Sequence, residues 1–300
     1  MNTNYTVVLT SYNAQDTISM AINSFFTQSI VPFEIFVIDD ASSDNTWSIL
    51  TDLAEKDARL HVFQNSVNRG QSYSRNIGVD KSHTDYILFG DDDDKSLSHR
   101  AKLHLRQFDH GSQIGYVSSR KLYQNGYSTE AINSEIESGS IDPLIFARKL
   151  LLGQNFPEGE IFVPSCALAV RKEAFLAVGG FDENFRRLED VDIAIRFAKK
   201  DFAFEWSSEI ALERHHSEGT DKGGSIDPFF EISLINKYSE FLNEEEVNKT
   251  ILASKLRAAY LSHQYTQILG LILSNRGSLT LIRHKFFVFM RRIRHDLRKF

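Results

Sequence analysis

Residues 5–50 read YTVVLTSYNAQDTISMAINSFFTQSIVPFEIFVIDDASSDNTWSIL, and two periods alternate within them. Tyr5–Leu9 is a short apolar run of strand length. After a polar turn, Ile18, Ala21, Ile22, Phe25 and Phe26 recur every three or four residues, the spacing of one helical face. Phe33–Ile38 is almost continuously apolar, as a strand buried on both faces of a parallel sheet must be. The alternation continues outward. Ser43–Lys56 has helical spacing, with Trp47, Leu50 and Leu53 on one side. Arg59–Gln64 reads as a strand, Gln71–Lys81 as a helix, Tyr86–Phe89 as a buried strand and Leu97–Phe108 as a helix. Strands and helices in this order predict βαβ units around a mostly parallel sheet.

The middle of the chain is less regular. It predicts strands over Tyr116–Tyr123, Ile161–Val170 and Phe202–Leu212, and helices over Pro143–Leu152 and Leu188–Lys199. Pro164 demotes part of its strand to an edge, because proline has no N–H for the ladder. From Pro228 the pattern is helical to the end. The expected division is an α/β body over 1–225 and a helical region over 226–300. Of the 300 residues, 42% are apolar and 25% charged, which excludes a disordered, collagen-like or coiled-coil chain. Cys166 is the single cysteine, so no intramolecular disulfide forms and a reducing compartment is expected. The N-terminus lacks a basic segment followed by an apolar one, and no window approaches about 18 consecutive apolar residues, so a cytoplasmic location is expected. The net charge of −6 is uneven: residues 276–300 carry +7, which leaves −13 on the rest. An acidic body argues against a nucleic-acid partner, which favours a basic face.

In open α/β sheets ligands lie beyond the carboxyl ends of the strands. Thr10-Ser11-Tyr12-Asn13 follows the first strand, Asp39-Asp40-Ala41-Ser42-Ser43-Asp44 the second, and Asp91-Asp92-Asp93-Asp94 the strand at Tyr86. Four adjacent like charges repel unless a cation compensates them. An all-oxygen donor set suits magnesium, manganese or calcium. In extended backbone Asp91 and Asp93 share one side and Asp92 and Asp94 the other, so one D-x-D pair can face a metal. The competing reading is a solvated acidic turn. An EF-hand is excluded by Lys95 and Ser96 at its fifth and sixth positions. For Asp39-Asp40 the competing reading is a turn in which Ser42 or Ser43 caps the next helix. Arg75 is either a bidentate phosphate ligand or an ion-pairing surface residue. Glu189-Asp190-x-Asp192 either complements a helix dipole or supplies a general base. Gly179-Gly180-Phe181-Asp182 suggests a tight approach of backbone to a ligand. His215-His216 are metal ligands or a polar turn. The P-loop, the G-x-G-x-x-G loop, the G-x-S-x-G elbow and C-x-x-C are all absent.

Taken together and in order, VVLTSYNAQDTISMAINSFFTQS (7–29), EIFVIDDASSDNTWSIL (34–50), NRGQSYSRNIGV (68–79), DYILFGDDDD (85–94) and VGGFDENFRRLEDVDIAIRFAKKDF (178–202) resemble the family 2 glycosyltransferases. The resemblance spans roughly residues 5–220 and implies the Rossmann-like GT-A fold and an inverting, nucleotide-sugar-dependent transfer. It implies that Thr10 and Tyr12 flank the nucleotide base, that Asp40 binds it with Asp39 beside it, and that Arg75 lies near the nucleotide. It places Asp91 near the ribose, Asp93 on a divalent manganese or magnesium ion, and Asp190 as catalytic base in an E-D pair with Glu189. His215 or His216 would approach the diphosphate or metal. Two positions depart from the family pattern. Gly90 replaces a larger apolar residue. Asp92 replaces a small neutral one and leaves open which aspartates face the metal. The Gln-x-x-Arg-Trp motif of processive members is absent, which points to transfer of a single sugar.

A UDP-sugar heads the donors so implied, and the acceptor is a carbohydrate or lipid-linked hydroxyl in bacterial surface polysaccharide or glycolipid assembly. Leu279, Ile282, Phe286, Met290, Ile293 and Leu297 recur at helical spacing among basic residues, so 277–299 reads as an amphipathic helix for peripheral contact with the inner face of the plasma membrane. The competing reading packs that stripe on the body. Two other functions compete with this one. A sugar-nucleotide pyrophosphorylase starts with a glycine-rich loop, where this chain has TSYNAQD. A non-catalytic membrane-docked scaffold would leave the acidic loops solvated.

Overall fold

The computed structural model describes residues 4–122, 128–154, 156, 160–215, 228–262 and 264–274. The chain divides into two compact units, Met1–Lys222 and Gly223–Phe300. The first unit runs β1 (Tyr5–Ser11), α1 (Ile18–Phe26), β2 (Glu34–Asp39), α2 (Thr46–Ala54), β3 (Leu60–Gln64), α3 (Gln71–Lys81), β4 (Tyr86–Asp91), β5 (Asp94–Ser96) and α4 (Arg100–Asp109). It continues with β6 (Ile114–Leu122), β7 (Ser128–Ala131), β8 (Ile136–Gly139), α5 (Pro143–Leu152), β9 (Leu168–Arg171), α6 (Lys172–Ala177), α7 (Glu189–Lys199) and β10 (Phe204–His215).

The strands form one sheet in the order β3-β2-β1-β4-β9-β6-β10-β5, with β7 on β6 and β8 on β10. β3, β2, β1 and β4 are mutually parallel, as are β6 and β10. β9 is antiparallel to both β4 and β6, so those two run the same way and all the long strands end on one edge. Only two residues separate β4 from β5, and β5 pairs antiparallel with β10, with Arg214 opposite Asp94. The four aspartates therefore draw the carboxyl end of β10 back against that of β4.

Both faces of the central strands are apolar because alternate residues serve alternate cores. Val7, Leu9 and Leu88 pack with Ile18, Ile22 and Phe25 of α1 and with Leu105 and Phe108 of α4. Val8, Ile87 and Phe89 pack on the other side with Val79 of α3, Phe175 of α6, and Ile193 and Phe197 of α7. α3 lies so close to β1 that a Cβ on Gly78 would stand 2.5 Å from Val8 Cγ1. At Gly90 a Cβ would stand 3.0 Å from the Phe25 ring, which fills the place of the larger residue usual there in the resembled family.

The expected strand over Ile161–Val170 is mostly absent. Pro164 is extended and cannot donate, Ser165–Ala167 form a 3-10 turn, and only Leu168–Arg171 joins the sheet, reversed. The short strands β5, β7 and β8 were not predicted, since three or four residues show no usable period.

The second unit holds α8 (Pro228–Lys237), α9 (Glu244–Leu261) and α10 (Tyr265–Ser274). α9 starts with a capping box: Asn243 accepts from the Glu246 N–H, and Glu246 accepts from the Asn243 N–H. Leu234 and Ile235 of α8 and Leu252, Leu256 and Ala259 of α9 are buried, and Arg257 forks onto Glu231. Among the described residues no helix is long and apolar enough to cross a membrane. The expected amphipathic helix at 277–299 and His216 lie outside the described residues.

Candidate active site

Three loops at the carboxyl edge are laced together by side chains answering backbone. Thr10 sits opposite Asp91 in the β1–β4 register, and the Tyr12 N–H donates to Asp92 Oδ2 at 2.9 Å. Asp92 is thereby fixed on the first loop. Asn13 Oδ1 accepts from the Ser43 N–H at 2.8 Å, and Ser42 Oγ accepts from the Asn13 N–H at 2.9 Å, which ties the β1 loop to the β2 loop. The Tyr12 ring is 43% exposed and open to a partner.

Asp39 and Asp40 differ sharply. Asp39 is fully buried and accepts from the Ser42 N–H, the Ser42 hydroxyl and Gln64 Nε2, so it organises the turn. Asp40 accepts from the Arg69 N–H at 2.8 Å, the Gly70 N–H at 2.7 Å and Asn65 Nδ2 at 2.8 Å, which fixes the N-terminus of α3. A carboxylate has about four acceptor positions, so Asp40 keeps one for a further donor. Neither Ser42 nor Ser43 caps α2. The N-cap is Asn45, which makes no side-chain capping bond, and the preceding Asp44 accepts from the Thr46 N–H at 3.0 Å and the Thr46 hydroxyl at 2.5 Å.

Arg75 is fully buried rather than exposed. Its Nη2 donates to Asp91 Oδ1 at 2.8 Å and Gln71 Oε1 at 2.7 Å, and its Nη1 to Glu189 Oε1 at 2.9 Å. Burial alone would lower its pKa, but Asp91 and Glu189 outweigh burial and raise it. One guanidinium thus joins the end of β4 to the start of α7. Asp190, half-buried beside Glu189, is pushed up to about 7 by burial and then by the Glu189 charge. Leu188, immediately before this pair, has a left-handed φ of 65°. Asn13 (φ 49°) and Ala41 (φ 62°) share that conformation at the same edge. Non-glycine residues held this way cost on the order of 1–3 kcal/mol each and gather at functional sites.

Asp92, Asp93 and Asp94 are only 7, 8 and 4% exposed, so the solvated-turn reading does not describe them. Burial, then the charges of Asp91 and Asp93, push Asp94 up to about 8. Beneath the turn lies a second buried cation: Arg100 donates to the Phe89 carbonyl at 2.7 Å and to Ser96 Oγ at 2.9 Å, holding both flanks of the aspartates. Burial brings Arg100 down to about 10, so it stays charged at neutral pH. Oxygen atoms of Asp91 and Asp94 lie within 4.8 Å of each other and of Cys166 Sγ. Asp94 Oδ2 and His215 Nε2 are buried without a hydrogen-bond partner among the described residues. Carboxylates, an imidazole and orphaned buried acceptors fit a divalent cation.

Some expectations change. The tight approach expected at Gly179-Gly180 is to a side chain: Asn76 Oδ1 accepts from the Phe181 N–H at 2.9 Å, and a Cβ on Gly180 would stand 2.7 Å from that oxygen. Sequence alone marks none of Arg100, Gln71 and Cys166 as part of the site. Gln71 had a signal, one helical turn before Arg75. Asp94 was visible in the aspartate run. Cys166 had none, because its place follows from the 3-10 turn packed beside β4.

An acidic site at the carboxyl edge of a mixed α/β sheet flanked by helices is the arrangement of the GT-A glycosyltransferases. The model of "Glycosyl transferase family 2" matches residues 6–178, and the chain belongs to that family. It is similar to an uncharacterized glycosyltransferase of Rickettsia felis, 29% identical over 255 residues, covering 83% of this chain and 38% of the relative. The chain thus spans well under half of that protein's length. It is similar to the UDP-Glc:alpha-D-GlcNAc-diphosphoundecaprenol beta-1,3-glucosyltransferase WfaP of Escherichia coli, 33% identical over 117 residues, 39% of this chain and 42% of the relative. Among solved structures, S. aureus TarS 1-349 in complex with UDP-GlcNAc superposes with a TM-score of 0.65 at 18% identity, covering 86% of this chain and 73% of that one.

Proposed function

We propose that this chain transfers one sugar from a nucleotide-diphosphate sugar, a UDP-sugar first among the candidates, to a hydroxyl of a carbohydrate or lipid-linked acceptor with inversion at the anomeric carbon. The observation that carries this reading is the buried Asp91–Arg75–Glu189 bridge, which fixes the start of α7 against the aspartate end of β4. A proton acceptor and a diphosphate site need such a fixed separation for in-line displacement. Asp190 takes the acceptor hydroxyl's proton as that oxygen attacks, and its raised pKa near 7 suits a general base at neutral pH. Glu189 holds Arg75 and, through it, the geometry. Thr10, Tyr12 and the remaining acceptor position of Asp40 receive the base, with Asp39 fixing the turn beneath. Asp91, Asp93 and His215, or the adjacent His216, would hold a manganese or magnesium ion. That ion supplies Lewis-acid stabilisation of the diphosphate leaving group. The antiparallel pairing of Arg214 with Asp94, residues adjacent to His215 and Asp93, supports this ligand set. The UDP-sugar named for TarS and the undecaprenol-linked acceptor named for WfaP support the donor and acceptor classes.

Asp93→Ala tests the metal role. Transfer should fall by about 100-fold or more, since a preorganised charge-stabilising group contributes roughly 10²–10³ in rate. Wild-type activity that persists in EDTA, matched by near-normal activity of the variant, would remove the metal from the reading.

Membrane contact through 277–299 belongs to the same proposal, on the strength of its basic residues, which supply most of the +7 of residues 276–300. Each basic side chain near an anionic bilayer contributes about 1 kcal/mol. The full chain should co-sediment with anionic vesicles at low salt and lose that on truncation after Asn275. Equal sedimentation of both proteins would assign the tail to packing.

A further inference from the structure

The one thiol of this chain stands against the aspartates that the proposed function gives to a cation. Cys166 Sγ, an Asp91 oxygen and an Asp94 oxygen lie within 4.8 Å of one another. Cys166 sits in the 3-10 turn Ser165–Ala167 with Leu103, Val117 and Leu212 around it, and on that side it is a small apolar residue in a small apolar cluster. A purely apolar role would not explain a sulfur set beside two carboxylates. Asp94 adds an independent observation. It is only 4% exposed, yet its Oδ2 has no hydrogen-bond partner among the described residues. Its nearest cation is Arg214 Nε at 3.8 Å, an ion-pair distance too long for a hydrogen bond. A buried carboxylate that meets a thiol, beside a second carboxylate, is a partial coordination shell. Finished zinc bonds are about 2.3 Å to sulfur and 2.0–2.2 Å to carboxylate oxygen, which in a tetrahedron set the ligand atoms roughly 3.4–3.6 Å apart, so a spread of up to 4.8 Å closes by about an ångström on binding.

We propose that Asp91, Asp94 and Cys166 form a mixed thiolate–carboxylate site for a thiophilic divalent cation of the zinc class, overlapping the oxygen-ligated position used in transfer. This rests on the proposed function only for the overlap. Binding exchanges the thiol proton for the metal: the S–H bond breaks, the sulfur lone pair forms the metal–sulfur bond, and that proton leaves to the buffer together with any proton the Asp94 carboxyl carries. Magnesium, which takes oxygen ligands, gains nothing from the sulfur. The same edge therefore discriminates between cations by softness.

Cadmium is the probe, because a cadmium–thiolate bond gives an ultraviolet charge-transfer band that carboxylates do not. The chain has one cysteine, so the band reports Cys166 and no other residue. Titrating the full-length protein with cadmium should raise the band to saturation, and excess manganese should suppress it. Cys166→Ala should abolish the band and weaken cadmium binding by roughly tenfold or more while leaving magnesium within about twofold, as expected for loss of a soft ligand alone. Asp94→Asn should weaken the band's apparent affinity, and circular dichroism checks that it folds. No band from wild-type protein that still binds manganese overturns this inference and leaves the proposed function standing. A band indifferent to both manganese and Asp94→Asn also overturns it, since the thiol would then bind cadmium alone. Failure of manganese to bind at all counts instead against the proposed function.

Discussion

Asp190→Asn is expected to lower the rate of sugar transfer by about 10²- to 10⁴-fold, the range usual for loss of a general base. The amide keeps the volume and the N-terminal position on α7 but cannot accept a proton. Binding of UDP, measured by calorimetry, should stay within a few-fold, because Asp40, Asp91 and the β1 loop are untouched. The pH profile sharpens the test. A base must be ionised to work, and Asp190 titrates near 7, so wild-type kcat/KM should climb through neutral pH and level above it. The variant should lose that limb. Stability runs the other way. Its pKa in the folded protein lies above the ordinary carboxylate value, so between about pH 4 and 7 the unfolded chain has given up a proton that the folded chain still holds. Wild-type stability therefore falls as pH rises across that window. Asp190→Asn should be the more stable protein above pH 7, with the gap closing below about pH 4. A variant that loses UDP affinity in proportion to rate, or products that retain anomeric configuration, would remove Asp190 from the role of base.

Arg75→Met should cost about 3–5 kcal/mol of folding stability, because it leaves Asp91 and Glu189 facing each other without their shared cation. Ordinary domains have only about 5–15 kcal/mol in total. The measurement is the urea midpoint. Arg75→Lys should recover part of the loss, since a point charge can serve one carboxylate but lacks the planar fork that serves two carboxylates and Gln71 at once. Combining Arg75→Met with Asp91→Asn and Glu189→Gln should restore more stability than Arg75→Lys, since no buried charge is then left unpaired. A loss below about 1 kcal/mol for Arg75→Met would mean water already solvates the bridge, against the usual penalty for breaking a buried pair.

Much of this was legible in the chain itself, and the reason is local. Alternating apolar residues report strands and threefold-to-fourfold spacing reports helices wherever an element is long enough to show its period. β1, β2, α3, β4 and α7 could therefore be read nearly to their ends. That a ligand site lies beyond strands ending in Asp39-Asp40 and Asp91–Asp94 also follows from the sequence, because parallel strands carry their carboxyl ends to one edge. Pairings between distant residues could not be read. Arg75 and Glu189 are 114 residues apart, and no spacing rule connects α3 to α7. Only the sheet order, with β9 reversed beside β4, brings those helices onto one face. The same holds for the division of labour among like residues. Asp39 and Asp40 are chemically identical neighbours, but the pleat turns one into the Ser42 turn and the other toward the start of α3. Among the four aspartates, Asp91 meets Arg75, Asp92 meets the Tyr12 amide, and Asp94 meets Cys166 and the end of β10. The sequence determined that negative charge collects at this edge, because charge is a property of each residue. Which carboxylate is neutralised and which is left for a ligand was decided by tertiary structure, because compensation falls off with distance and only the fold sets those distances.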